Sequence, residues 1–314
     1  MKIVFFGSSD FAVPSLRNLL DSPHEVLAVV TQPDRKKGRH LKVSQTPVKK
    51  LSSKRGITIY QPENAKDTES LKYLESLRAD LFVVVAFGQI FSKSVLNIPK
   101  IYSINLHASL LPKYRGAAPV SRAIMNGENR TGLSIIRMNE RMDAGDIILQ
   151  RPVGIEEKDT SETLNRKLSD LGGILLLDAI RFIEQDRITF KKQDEKKATF
   201  APKLKKEDGL IDWKKDALKI HNMVRGLTPW PCAFTFLNDK MLKIRKTDVS
   251  PSPDKSEPGE ILDIQKEGLI VACGKGLLII KELQLEGAKM MDIASFVRGH
   301  KIEKGMFLGR PACR

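Results

Sequence analysis

The 314-residue sequence is poor in cysteine, with Cys232, Cys273 and Cys313 far apart and no CxxC pair among them. Neither a disulfide framework nor a zinc site fits that spacing, and no other cluster of ligand residues calls for a metal. Aromatic residues make up only 6%, yet apolar residues reach 41% and charged residues 29%. That balance buries a core and excludes a disordered chain, a collagen-like fibre or a disulfide scaffold. Long apolar runs are also missing, and nothing approaches the roughly 18 residues that a membrane helix needs. The opening MKIVFFGSSDF has one lysine and a four-residue apolar run before Gly7. A secretory signal needs a longer apolar stretch, so a cytoplasmic protein without membrane contact is expected. The segment GSSDF at Gly7–Phe11 lacks GxGxxG spacing, and no NAD site is read there.

Acidic residues are the scarcer charged class, with 38 Asp and Glu against 53 Lys and Arg, for a net charge of +15. The excess is concentrated. Between Asp34 and Arg55 stand nine Lys or Arg and one acid. A patch of this kind points to a polyanionic partner, nucleic acid before membrane, with a solvated helix face as the alternative.

Five short apolar runs in the first half read as buried strands: Lys2–Phe6, Val26–Thr31, Ile57–Tyr60, Leu81–Ala86 and Tyr102–Leu106. Helical patterns over Val13–Leu20, Val48–Lys54 and Thr68–Leu77 separate them. Alternation of this kind predicts an α/β fold, a doubly wound, mostly parallel Rossmann-like sheet with sites beyond the carboxyl ends of its strands. A long amphipathic helix is expected from Ser161 to about Gln185. Polar, basic residues over 190–207 read as a linker after a domain of 1–189, although Thr199–Pro202 has the look of a pinned segment. From 208 to 314 one helix and five short strands predict a second domain, an OB-like β-barrel. Trp230, between Pro229 and Pro231, is expected to pack into a structural turn.

Chemistry is expected where the fifth run ends. Strand alternation puts Asn105 and His107 on one face at the carboxyl edge. An amide and an imidazole there suit a reaction through a tetrahedral intermediate, one donating to an oxyanion and the other donating or relaying a proton. A structural histidine is the plainer alternative. Asp143, in the turn MDAGD, would fix the tautomer of His107 and favour its protonated form if the two met; otherwise it is an ordinary turn residue.

The segments INLHASLLPKYRGAAPV and MNERMDAGDIIL closely resemble the signatures of formyltransferases that use 10-formyltetrahydrofolate. The resemblance extends through TQPDRKKGR, VVVAFGQI, FAPKLKKEDGLIDW and LTPWPCAF, and the basic loop and C-terminal half select the tRNA-dependent branch. It implies a catalytic trio of Asn105, His107 and Asp143. It also implies a folate site lined by Ser109, Leu110, Leu111 and Pro112, with backbone groups of Phe87–Ile90 at the pterin. No metal is implied. The acceptor would be the α-amine of methionine on initiator tRNA, approached by a loop carrying Arg35, Lys36, Lys37, Arg39 and Lys42. Arg39 is the residue of this loop best placed to reach the acceptor stem. The family often has a lysine pair after that arginine, whereas here His40 and Leu41 intervene before Lys42. In the C-terminal half, Lys203, Lys205, Lys206, Lys243, Arg245 and Lys246 would form a phosphate-tracking surface. A monomer is expected. Two other readings stay open: a related enzyme acting on a small molecule, as a formyltransferase or formyl-folate hydrolase, and a noncatalytic RNA-binding protein on the same fold.

Overall fold

The computed structural model describes residues 1–37, 42–251 and 256–309, with the side chains of Lys36, Lys37 and Lys42 outside that description. By internal contacts the chain forms two compact units. One holds residues 1–119, 130–154 and 165–201; the other holds 120–129, 155–164 and 202–314. This differs from a simple break after residue 189. Residues 190–201 pack with the first unit, and the segments 120–129 and 155–164 belong to the second.

The elements in chain order begin with β1 (Lys2–Gly7), α1 (Val13–Leu20), β2 (Glu25–Val30), β3 (Arg35–Lys37) and β4 (Lys42–Ser44). Next come α2 (Pro47–Lys54), β5 (Ile59–Tyr60), α3 (Thr68–Ser76), β6 (Leu81–Val85) and α4 (Lys93–Leu96). β7 (Tyr102–His107), α5 (Pro119–Met125), β8 (Arg130–Arg137), β9 (Ile147–Gly154) and α6 (Ser161–Glu184) follow. The helices start where the sequence supplies caps. Thr46 accepts from Lys49 N–H ahead of Pro47, and Asp67 accepts from Ser70 N–H, satisfying amides that the first turn leaves open.

The first unit's sheet has the order β5-β2-β1-β6-β7-β8-β9. Its first five strands pair in parallel, while β8 and β9 run antiparallel at one edge. β6, LFVVV, is buried at every position, as a strand covered on both faces must be, and this is why it reads as an unbroken apolar run. β2 and β6 flank β1 on opposite sides. The order therefore reverses beside β1, so the loops after β1, β6 and β7 meet at the carboxyl edge where open α/β sheets hold ligands.

The second unit contains α7 (Ala217–Leu227), β10 (Ala233–Leu237), β11 (Lys240–Ser250), β12 (Ile261–Gln265), β13 (Gly268–Ala272), β14 (Leu277–Leu285), β15 (Met291–Asp292) and α8 (Ile293–Gly299). The antiparallel sheet runs β10-β11-β14-β13-β12, with β15 on β14. Asn238 and Asp239 both take positive φ between β10 and β11, the two-residue turn that matches strand twist. Ile220 and Val224 of α7 join Leu242, Ile244, Leu278, Ile280 and Phe296 in one core, giving the OB-like domain its apolar centre. The buried tryptophan here is Trp213, whose indole N–H donates to Thr235 Oγ1 at 3.0 Å. Trp230 is 53% exposed, which corrects its expected packing: the turn is anchored by Thr228, not by the ring. The Thr228 hydroxyl donates to the Val224 carbonyl, and its own carbonyl accepts from Ser161 Oγ. Among the described residues no helix is long and apolar enough to cross a membrane.

Candidate active site

β7 pairs Asn105 with Ile136 and His107 with Ser134 of β8, and the two-residue spacing keeps both polar side chains on one face. Asp143 arrives on the turn between β8 and β9 in a left-handed conformation, φ +50. Gly145 sets how tightly that turn closes, since a Cβ there would lie 1.7 Å from the Arg137 carbonyl oxygen. One carboxylate then joins three groups. Asp143 Oδ1 accepts from Asn105 Nδ2 at 3.3 Å, and Oδ2 accepts from Gly116 N–H at 2.8 Å. The same Oδ2 faces His107 Nδ1 at 3.5 Å. On the far side of the ring, His107 Nε2 meets the Tyr114 carbonyl at 2.9 Å. Both ring nitrogens thus face oxygen acceptors, an arrangement that a doubly protonated ring satisfies. His107 is only 6% exposed, so a charge in this cluster is poorly shielded by water.

The loop after β7 is built from its own polar groups. Ser109 Oγ donates to the Lys113 carbonyl at 2.6 Å. Ser134 of β8, wholly buried, donates to the Ser109 carbonyl at 2.7 Å and accepts from Leu111 N–H at 3.0 Å. Gln150 of β9 completes the set, donating to the Leu111 carbonyl and to Ser134 Oγ, both at 2.9 Å. Ser109 and Leu111 are buried in this support; Leu110 and Pro112 keep partial exposure. Gly132 lets Leu110 approach β8, because a Cβ there would meet Leu110 Cδ2 at 2.6 Å.

Residues 191–201 lie along this loop as a strap. Lys191 bridges to Ile147, Thr199 O accepts from Arg115 N–H at 2.8 Å, and Ala201 N–H donates to Arg115 O at 2.7 Å. The Arg115 side chain, 3% exposed, donates to Gln193 Oε1 and to both oxygens of Glu195. Gln193 Nε2 in turn donates to the carbonyls of Asp143 and Gly145 at 2.8 and 2.7 Å. Glu195 also pairs with Arg141, and its carboxyl is held below the usual carboxylate range by the Arg115 hydrogen bonds first. Sequence reading missed Gln193 and Glu195. They sit in a polar stretch without periodicity, and only the pinned segment Thr199–Pro202 beyond them hinted at contact.

A cavity of about 670 Å³ opens at the amino end of β7, and none of Asn105, His107 or Asp143 lines it. It is lined by Ser103, two residues before Asn105 on β7, and by Leu96, Met138, Asn139 and Arg141, the last two residues before Asp143. Ser103 Oγ is buried and has no hydrogen-bond partner among the described residues.

A family model described as formyl transferase matches residues 1–180, and one described as formyl transferase, C-terminal domain, matches residues 203–301. The methionyl-tRNA formyltransferase of Citrifermentans bemidjiense is 45% identical over 99% of this chain and 97% of its own. That of Caldanaerobacter subterraneus subsp. tengcongensis is 45% identical over 98% of this chain and 100% of its own. The chain belongs to the methionyl-tRNA formyltransferase family. Among solved structures, an N-formyltransferase from Helicobacter canadensis in complex with folinic acid and dTDP-3-aminofucose superposes with a TM-score of 0.66 at 20% identity, over 89% of this chain and 99% of that one. HypX from Aquifex aeolicus, in complex with tetrahydrofolic acid, gives 0.65 at 17% identity over 98% of this chain and 51% of its own. These two likenesses concern the fold.

The other motifs that signalled a formyltransferase are also placed. Ser8, in the loop after β1, donates to the Phe87 carbonyl and accepts from Gln32 N–H, so this loop ties neighbouring strand ends together. Phe87 is buried against Phe6 and Phe91, with Gly88 at φ +91 and Ile90 exposed. Gln89 accepts from Ala65 N–H and donates towards Pro62 and Glu63 carbonyls. In the basic loop, β3 pairs with β4, which places the backbones of Lys36, Lys37 and Lys42 on a hairpin. Arg35 reaches Glu63 at 2.9 Å, an exposed ion pair of small energetic weight. Arg39 lies outside the described residues. In the second unit, Lys243 and Arg245 stand two apart on β11, and Arg245 approaches Glu162 at 3.8 Å.

Proposed function

We propose that this chain transfers the formyl group of 10-formyltetrahydrofolate to the α-amine of methionine on initiator tRNA, using Asn105, His107 and Asp143. The observation that carries the reading is the shared carboxylate: Asp143 touches Asn105, Gly116 and His107 at the carboxyl end of β7. The folate would sit against the loop after β7, next to His107. Leu110 and Pro112 present the apolar edge of that loop, while Ser109 and Leu111 hold it in shape.

Asn105 has two amide hydrogens, and Asp143 takes one of them. The other points the amide's donor capacity at the formyl oxygen as negative charge grows there. His107 contributes its Nε2 proton once that nitrogen exchanges the Tyr114 carbonyl for substrate. A donor fixed before reaction typically contributes ~10²–10³-fold, because it needs no reorganisation when charge appears. Asp143 offsets the ring's positive charge and keeps Nδ1 turned inwards. The proton lost by the attacking amine then has a relay through His107 towards the departing folate nitrogen.

The basic loop at Arg35–Lys42 supplies diffuse attraction for the acceptor end of the tRNA, and the second unit brings cations of its own to the RNA. A cytoplasmic, monomeric enzyme is the setting this reading implies. The test is direct: purified protein, 10-formyltetrahydrofolate and aminoacylated initiator tRNA should yield N-formylmethionyl-tRNA. His107→Ala should cut turnover at least ~100-fold with folate binding retained. A variant keeping more than half of wild-type turnover would remove His107 from the mechanism.

A further inference from the structure

The strap at 191–201 carries a second layer of the site. We propose that Gln193 is a positioning residue, whose side-chain amide holds the backbone of the Asp143 turn so that the carboxylate reaches both Asn105 and His107. The proposal rests on the reading that Asp143 serves the reaction. The amide's orientation is dictated by its partners. Nε2 has two hydrogens and faces two carbonyls, those of Asp143 and Gly145, at 2.8 and 2.7 Å. Oε1 faces two donors of the Arg115 guanidinium, at 3.1 and 2.8 Å. Turning the amide over would set oxygen against carbonyl oxygens and nitrogen against a cation, so only one orientation satisfies all four groups.

Asp143 needs such a hold. It occupies the left-handed region at φ +50, which costs a residue with a Cβ some backbone strain, less for Asp than for most, so the turn gains from being held by its neighbours. Its own carboxylate is tied to Asn105 and Gly116, but those contacts act on the side chain; Gln193 acts on the main-chain carbonyls of Asp143 and Gly145. The amide is itself held, since Arg115 is buried and anchored by Glu195. The chain of contacts runs from Glu195 through Arg115 and Gln193 to the turn, and ends at Asp143 and His107. Glu195, Arg115 and Gln193 act only through that turn.

Two variants separate this role from bulk folding. Gln193→Glu keeps the shape and the Arg115 partner but turns an acceptor towards the two carbonyls. Gln193→Leu keeps volume and removes every polar contact. Both should lower kcat about tenfold or more, since a misplacement near 1 Å is that costly to a poised group, while KM for folate and for methionyl-tRNA stays within about threefold of wild type. Exchange of the Gly116 amide hydrogen, which Asp143 accepts, should speed up in both. Combined with Asp143→Asn, Gln193→Leu should lower kcat by less than about twofold further, because the turn then holds no charge to place. Should Gln193→Leu fail to fold, Gln193→Glu makes the same comparison. Turnover within twofold of wild type in the folded variants, or a full multiplicative loss on top of Asp143→Asn, overturns the proposal. If Asp143→Asn alone keeps most of its turnover, the fault lies instead with the role given to Asp143.

Discussion

Replacing Ser134 by alanine removes one oxygen atom from a site with no exposed surface, and the hydrogen bonds around it set the expected cost. Ser134 Oγ donates to the Ser109 carbonyl and accepts from Leu111 N–H and Gln150 Nε2. Gln150 retains the Leu111 carbonyl, so it loses little. Among the described residues the Ser109 carbonyl and the Leu111 amide have no such second partner, and both lie within buried residues. A buried polar group left unpaired costs about 1–3 kcal/mol, the carbonyl less than the amide, so the sum is about 2–4 kcal/mol. For a unit of this size that corresponds to a melting temperature lower by about 5–15 °C. The same loss loosens the Ser109–Pro112 loop, so KM for 10-formyltetrahydrofolate should rise several-fold while circular dichroism remains native at 20 °C. Thermal melts of wild type, Ser134→Ala and Ser134→Cys at one scan rate test the point, the thiol being a weak substitute in both roles. A Ser134→Ala melt within about 2 °C of wild type would refute the reasoning, since it would mean that the orphaned groups find other partners or that the loop is not held from β8.

The remaining expectations draw on other parts of the chain. Replacing Arg35, Lys36, Lys37 and Arg39 together by alanine should make the salt dependence of tRNA binding shallower by up to roughly three or four units, about one per lost phosphate contact, and an unchanged slope would mean that the loop meets no RNA. Cys273 is buried, and burial pushes its thiol up to about 12; in a Cys313→Ser background, a neutral-pH disulfide reagent should therefore leave it unmodified until the protein unfolds, as labelling followed by mass spectrometry would show. Asp80 is held below the usual carboxylate range, first by the Lys100 hydrogen bond and then by Lys2 N–H. A depressed carboxylate gives stability that is complete above its unfolded value near ~3.9 and lost as the pH falls through the folded value. Asp80→Asn should thus be less stable than wild type near neutrality, with a gap that closes on acidification below ~4 in denaturant titrations.

What could be read from the sequence divides along a physical line. Strands and helices whose burial is decided locally were legible: IVFF and LFVVV are apolar at every position because both faces of the sheet are covered, and Val13–Leu20 forms the helix that its pattern and Pro14 announce. Ile57–Tyr60 shrinks to two paired residues, Val29 with Ile59 and Val30 with Tyr60, since β5 is an edge and has one neighbour to hold it. Unit boundaries were less legible. α5 belongs with the second unit through contacts far along the chain, such as Arg122 with Asp208 at 2.9 Å, and no local composition records such a partner. The candidate site shows the same contrast. Asn105 and His107 share a face by simple alternation, and the Asp143 turn is marked by Gly145. Gln193 and Arg115 carry no local mark, because four hydrogen bonds between residues about 50 to 80 positions apart leave neither period nor motif. An active site built this way exposes its chemistry to sequence reading and conceals its scaffolding. The groups that react must stand at strand ends, in places the fold dictates. The groups that steady them can come from any segment that passes within reach.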